Sequence, residues 1–383
     1  MATSADIVPF NRPCVTGREV EYVSAAIGSS TLSGDGPFTR RCHDLLKTLT
    51  GAPHVLLTTS CTHALEMAAI LAGIEPGDEV ICPSFTFVST INAFVLRGAI
   101  PVFVDVNDDT LNIDVRLVER AITPRTKVIV AVHYAGIACD LDALNEMASR
   151  RRVWLVEDNA HGLMGTYKGR PLGSVGRLAT LSFHETKNIS CGEGGALLIN
   201  DDELAGRAEI IREKGTNRSR FFRGEIDKYT WVDVGSSYLP SDLLAAYLLA
   251  QLESAERIQL ARRQRWDRYR AELAGWAARA GVRLPVVPDW CSQSYHLFYL
   301  RMPSLDDRTA LIRHARERGV QCVFHYQPLH LSEMGVRYGG RAGDCPVTEA
   351  AADDLVRLPL YFNLTDAQQD RVIDAVTSFR PRT

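Results

Sequence analysis

Lysine is what this chain of 383 residues most conspicuously lacks. Of its 43 basic residues only Lys47, Lys127, Lys168, Lys187, Lys214 and Lys228 are lysines, and the rest are arginines. Also missing are an apolar run long enough to span a bilayer and a basic, apolar opening like that of a signal peptide. The expectation is a cytoplasmic protein with no membrane partner. Nine cysteines include no C-x-x-C pair. An odd, scattered set of thiols argues against a disulfide framework or a zinc site, so no metal is expected. A net charge of −3 offers no basic footprint for nucleic acid. The scarcity of lysine also has a positive side. Arginine fills the positions where charge suffices, and it stays protonated. A lysine that persists is therefore a candidate for chemistry that arginine cannot perform, such as forming an imine.

The length suits two domains. Short apolar runs alternate with amphipathic stretches from Val55 to about Asn200, the pattern of βα units around a mostly parallel sheet. Seven strands are predicted: VLLT (55–58), EVICP (79–83), PVFVDV (101–106), KVIVAVHY (127–134), VWLVED (153–158), LATLSF (178–183) and GALLIN (195–200). The Leu65, Ala68, Ala69 stripe predicts a helix from Thr62 to Leu71. A long helix is predicted from Ser241 past Ile258, bending and continuing through 262–274. FYLRM (298–302), a helix over 306–318 and QCVFHY (321–326) then predict a smaller α+β lobe. The boundary falls near 255–260, giving a large domain over 1–255 and a small one over 256–383. The glycine-rich stretch 162–176 reads as loop and turn.

Three elements carry chemistry. Thr59-Ser60-Cys61-Thr62-His63-Ala64 lies between the first strand and the first helix, where free backbone amides and hydroxyls can cradle a phosphate. Serine and threonine at such a position are equally ordinary helix caps. VWLVEDNAH (153–161) ends a strand in Glu157-Asp158, placing carboxylates at the sheet edge where open α/β sheets bind ligands. Such a carboxylate can keep a pyridine nitrogen protonated, and it can equally cap a helix. LSFHETKNISCGEGGAL (181–197) sets Lys187 in a polar loop between two apolar strands. Its GEGG run has the wrong spacing for a dinucleotide fingerprint.

Cradle, strand-end Asp158 and then Lys187 about thirty residues later resemble the DegT-type family of nucleotide-sugar aminotransferases, which have the aspartate-aminotransferase fold. The resemblance runs from Pro9-Phe10-Asn11 to Leu358-Pro359-Leu360. Its most specific stretches are LSGDGPFTRRC (32–42), PSFTFVSTINAFVLRGA (83–99), SFHETKN (182–188) and REKGTNRSRFFRGEIDKYTW (212–231). They are especially similar to bacterial enzymes that aminate C4 of thymidine-diphosphate (TDP)-4-keto-6-deoxy-D-glucose. The resemblance implies a mostly parallel seven-stranded domain that binds pyridoxal 5'-phosphate (PLP), followed by the smaller α+β domain. It implies L-glutamate as amino donor and a homodimer as working unit. The product would be a TDP-4-amino-4,6-dideoxy-D-hexose, of galacto or gluco configuration.

Position by position, Lys187 matches the family's Schiff-base lysine and Asp158 the partner of the pyridine nitrogen. His161 matches a residue contacting the cofactor's ring oxygen, and Phe87 the aromatic stacked on the ring. Cys61, Thr62 and Ser182 match the phosphate cradle. The family completes that cradle from the partner subunit through a G-x-N-Y-R-M motif. Here the run is Gly235-Ser236-Ser237-Tyr238-Leu239-Pro240, with Ser237 in place of Asn and Ser241 as the other candidate. For the sugar nucleotide, Lys214, Arg218, Arg220, Arg223 and Lys228 cluster with Tyr229 and Trp231. Cations suit a diphosphate and aromatics suit a base or sugar face; a solvated basic loop fits the same residues. Phe324-His325-Tyr326-Gln327-Pro328-Leu329-His330 resembles the family's Tyr-x-x-Pro-x-His segment over the active site.

Three other classes fit the sequence less well. Sugar dehydratases of this fold carry His where this chain has Lys187. A regulator with an aminotransferase-like domain would bring a basic DNA-binding segment. A nicotinamide-dependent dehydrogenase would need a glycine fingerprint where this chain reads TTSCTHA.

Overall fold

The computed structural model describes residues 7–382. The seven predicted strands meet in one sheet: β1 (His54–Thr58), β2 (Glu79–Pro83), β3 (Ile100–Val104), β4 (Thr126–Val132), β5 (Trp154–Asp158), β6 (Leu178–Ser182) and β7 (Gly195–Ile199). Their spatial order is β1-β7-β6-β5-β4-β2-β3. Pairings among β2 to β6 are parallel, while β7 runs antiparallel to both β1 and β6. Strands such as VIVAV show no in–out alternation because helices cover both faces and each side chain is buried. The Cys61–Leu71 helix packs Leu65, Ala68 and Ala69 into one of these layers.

The parallel register has a direct consequence for chemistry. Asp158 ends β5 opposite Thr180 of β6, and Ser182 ends β6 opposite Gly195, the first residue of β7. Carboxylate, hydroxyl and the loop between β6 and β7 therefore share one edge of the sheet. That loop carries Lys187.

The C-terminal lobe holds a three-stranded antiparallel sheet, β8 (Tyr299–Arg301), β9 (Val323–Phe324) and β10 (Leu355–Arg357), in the order β8-β10-β9. Trp266, Tyr269, Phe298, Leu311 and Val372 form its core, joined by Val8 from the N-terminal end of the chain. The central strand β10 has no counterpart among the predicted strands. The predicted long helix is two helices, Asp242–Leu252 and Ala255–Arg279. The break falls where Glu253 leaves the helix to accept the Tyr22 hydroxyl at 2.7 Å and to pair with Arg18 and Arg41. Within 162–176, Thr166–Tyr167 and Arg170–Pro171 form a short ribbon paired to Cys291–Ser292. No helix among the described residues is long and apolar enough to cross a membrane.

Candidate active site

Strand alternation separates the two carboxylates at the end of β5. Glu157 turns into the protein, accepts the amides of Gly173, Val175 and Gly176 at 2.7–2.9 Å and pairs with buried His133 at 2.9 Å. It fixes the 162–176 loop. Asp158 turns the other way, into a cavity of about 820 Å³. Its Oδ2 accepts from Thr90 Oγ1 at 2.7 Å and its Oδ1 from the Ala160 amide at 3.2 Å. These bonds aim a buried carboxylate without adding a compensating cation.

Lys187 reaches the same cavity from the loop after β6. The loop is pinned by Phe183 N to Gly194 O and Glu185 N to Gly192 O, both at 2.8 Å. Nζ makes no hydrogen bond or ion pair within the described chain. Burial pushes the ammonium below the usual lysine range; Cys61 and Asp158 pull it back and Arg357 pushes it further down. The Cys61 thiol, buried beside Asp158, is pushed up to about 12, so it is a neutral neighbour at ordinary pH.

The helix beginning at Cys61 points its N-terminus into this cavity. Ser60 caps it by accepting the His63 amide at 3.1 Å, which leaves the Cys61 and Thr62 amides without intrahelical acceptors. Thr62 Oγ1 lies 2.8 Å from Ser89 Oγ. Gly195 makes the arrangement possible, because a Cβ there would sit 2.4 Å from Cys61 N. A cap and an anion cradle are thus the same element, with Ser60 as the cap.

The cavity also gathers Phe87, His161, Ser182, His325 and Tyr326, together with Asn11, His296 and Arg357, which the sequence reading passed over. His161 stacks on His296 at 4.2 Å, and His325 on Tyr326 at 3.6 Å. Burial drives all three imidazoles well below the usual histidine range, so they are neutral. His161 Nδ1 is buried in the cavity wall without a protein partner, which suits a hydrogen bond to a ligand. Arg357, at the end of β10, donates Nε and Nη2 to the Phe324 carbonyl at 3.3 and 2.9 Å, and its guanidinium lies 4.7 Å from the Phe10 ring centroid. It pairs with no carboxylate among the described residues. Its only sequence signal was a charge inside the apolar run LVRLPL.

Other expected residues lie elsewhere in the chain. His330 is buried between Ser84 Oγ, 2.6 Å from its Nδ1, and Glu349 Oε1, 3.0 Å from its Nε2, and does not line the cavity. Lys214 and Arg218 pair with Glu213, Arg220 with Glu225, and Arg223 with Glu225 and Glu209. Arg218 and Arg223 line a second cleft, with Asp35, Arg40 and Arg212. Tyr229 and Ser237 are exposed, outside the Lys187 cavity. Ser241 caps the Asp242–Leu252 helix through the Leu244 amide at 3.4 Å.

Residues 13–377 match the sequence profile described as the DegT/DnrJ/EryC1/StrS aminotransferase family. Among solved structures, the aminotransferase TlmJ from Streptoalloteichus hindustanus is 33% identical, with a TM-score of 0.88 and coverage of 97% of this chain and 98% of that one. The putative sugar aminotransferase Spr1654 from Streptococcus pneumoniae, in its PLP form, is 28% identical with a TM-score of 0.90, covering 97% and 98%. DesV from S. venezuelae, solved with a ketimine intermediate, is 33% identical with a TM-score of 0.85, covering 96% and 95%.

Proposed function

The chain belongs to the DegT/DnrJ/EryC1/StrS aminotransferase family and is a PLP-dependent aminotransferase; from that premise we propose that it moves the amino group of L-glutamate to C4 of a TDP-linked 4-keto-6-deoxyhexose. The observation that carries the reading is one cavity combining Lys187, Asp158, a free helix N-terminus and an arginine without a carboxylate partner. The C4 and nucleotide assignments rest on the resemblance to enzymes of that specificity, which is most specific over 32–42, 83–99, 182–188 and 212–231.

The residues suit the cofactor. Lys187 would hold it through Nζ, the Cys61 and Thr62 amides with Ser182 would take its phosphate, and Phe87 would cover its ring. His161 Nδ1, buried and unpartnered, would reach its ring oxygen. Bound PLP supplies an electron sink for the pair left when a neighbouring carbon loses a proton. Asp158, held by Thr90 and Ala160, would keep a proton on the pyridine nitrogen by charge pairing. Once the donor's amine has displaced it from the cofactor, Lys187 Nζ, its ammonium disfavoured by burial, would be free to take the proton from the donor's Cα as general base. In the second half-reaction the same amine gives a proton to sugar C4. Arg357 would donate hydrogen bonds to a carboxylate of the amino donor in the first half-reaction and to sugar hydroxyl oxygens in the second.

A homodimer belongs to the same reading. Phe222, Tyr229, Trp231, Val232 and Val234 are exposed along one segment. A second copy would cover this apolar segment and bring the cations of 214–223 to its neighbour's cavity.

The test is NMR of the product formed from TDP-4-keto-6-deoxy-D-glucose, L-glutamate and the holoenzyme. The expected outcome is 2-oxoglutarate and a 4-amino sugar, whose H3–H4 coupling reads the configuration. Turnover of a uridine-linked keto sugar in its place, with none of the thymidine one, would reassign the nucleotide.

A further inference from the structure

Segment 293–296 passes behind the cavity, and each of its residues is fastened. Gln259 Nε2 donates to the Gln293 carbonyl at 3.1 Å. Ser294 donates its amide to Gly136 O at 3.2 Å and its hydroxyl to the His161 carbonyl. Buried Arg262 donates Nε to Tyr295 O at 3.0 Å and Nη2 to His296 O at 2.7 Å. These bonds hold Tyr295 at φ +54°, a left-handed conformation that costs free energy in any residue with a side chain. Gly136 admits the segment, since a Cβ there would lie 1.8 Å from Ser294 Oγ. Backbone held this firmly against its preference fixes the direction of the side chain that follows.

That side chain is His296, and it touches two parts of the site at once. Its face lies 4.2 Å from His161, at 28°. Its edge meets Asn188, the residue after Lys187, with Nδ1 2.9 Å from Oδ1. The other end of the same amide, Nδ2, donates to the Ser294 carbonyl at 2.8 Å. A carbonyl can only accept, so the Asn188 amide has one orientation and its Oδ1 must face His296. His296 Nδ1 therefore carries the proton and the ring is a neutral, fixed donor. Lys187 and His161 approach the cavity on separate elements, the β6–β7 loop and the turn after β5, with no direct bond between them.

We propose that His296 is a positioning residue of transamination: it fixes the plane of His161 by stacking and the reach of Lys187 by holding Asn188. The proposal rests on the reading of Lys187 and His161 as cofactor contacts. It assigns no proton transfer to His296 itself.

Two holoenzyme variants separate the face from the edge. His296→Phe keeps a ring against His161 and loses the bond to Asn188; His296→Gln keeps a donor and loses the ring. Both are expected to load PLP, to change the visible circular dichroism of the bound cofactor, and to lower kcat by about 10- to 100-fold with KM for the nucleotide sugar unchanged. Folded, loaded variants with wild-type dichroism and wild-type kcat would overturn the assignment. Should either substitution prevent folding, Asn188→Ala releases the same edge from a half-buried position, and the same two readouts decide. The dichroism arm needs only bound PLP. A wild-type enzyme that turns over no TDP-linked keto sugar therefore counts against the substrate reading alone.

Discussion

At the scale of single residues, Asp158 and Lys187 are a cation–anion pair kept from becoming an ordinary salt bridge. Asp158 is satisfied by Thr90 and Ala160, and Lys187 is left without a partner. Asp158→Asn preserves the hydrogen-bonding shape and removes the charge. Since a charge partner commonly shifts a pKa by about 1–3 units, kcat should fall by about 10- to 1,000-fold with the fold intact, as read by steady-state kinetics beside far-ultraviolet dichroism. The three buried imidazoles make a second prediction. Their folded-state pKa values lie well below the usual 6.5. As pH falls below about 6.5, the unfolded chain takes up protons that His161, His296 and His325 refuse. Stability should then fall by up to about 1.4 kcal/mol per pH unit for each imidazole. Urea melts from pH 7 to 5 check this, and replacing one of the three with phenylalanine should flatten the slope. Lys187 was legible because five other lysines are all this chain has, and Asp158 because it closes an apolar strand. His296 and Arg357 were not legible. His296 gains its meaning from His161 and Asn188, and Arg357 from Phe324 and Phe10, contacts between separate elements that no local pattern encodes.

Elements were read best where burial is two-sided. Each strand of the large sheet carries a short apolar run, such as VIVAV in β4 and ALLI in β7, a signal that survives without any knowledge of neighbours. β10 was missed because its three residues, Leu355–Arg357, are too few to show a period, and their strand conformation is imposed by β8 and β9 on either side. The Ser241–Ile258 pattern reads as continuous because the apolar stripe does not lapse. The break at Glu253 is a tertiary event, driven by Arg18, Tyr22 and Arg41. Contact between elements supplies a third prediction. The start of β7 lies against the first turn of the Cys61–Leu71 helix with no room for a methyl group. Gly195→Ala should therefore cost about 1–3 kcal/mol of stability through overpacking. It should also weaken PLP binding more than it disturbs the far lobe. Thermal melts and fluorescence titration of the apoprotein with PLP read the two effects separately.

For the whole molecule, the question is whether each cavity is complete within its own subunit. Lys187→Ala and Ser237→Asp form the diagnostic pair. Each variant should be inactive alone, the second because an added negative charge would repel the cofactor phosphate across the interface. After subunit exchange, hybrid dimers hold one site with both intact residues, and about a quarter of the wild-type activity should return at equal mixing if pairing is random. No recovery despite proven exchange means that each chain builds its site alone. Trp231 would give the proposed homodimer an optical handle. It is 76% exposed, whereas Trp266 and Trp276 are each 3% exposed. An indole that leaves water for an apolar contact emits at shorter wavelength, so dilution past the dissociation constant should redden the protein's fluorescence as Trp231 returns to solvent. Trp231→Phe should silence that change while leaving the buried tryptophans glowing as before. The residue that looks least at home on the surface would then report, without any label, how tightly two copies hold together.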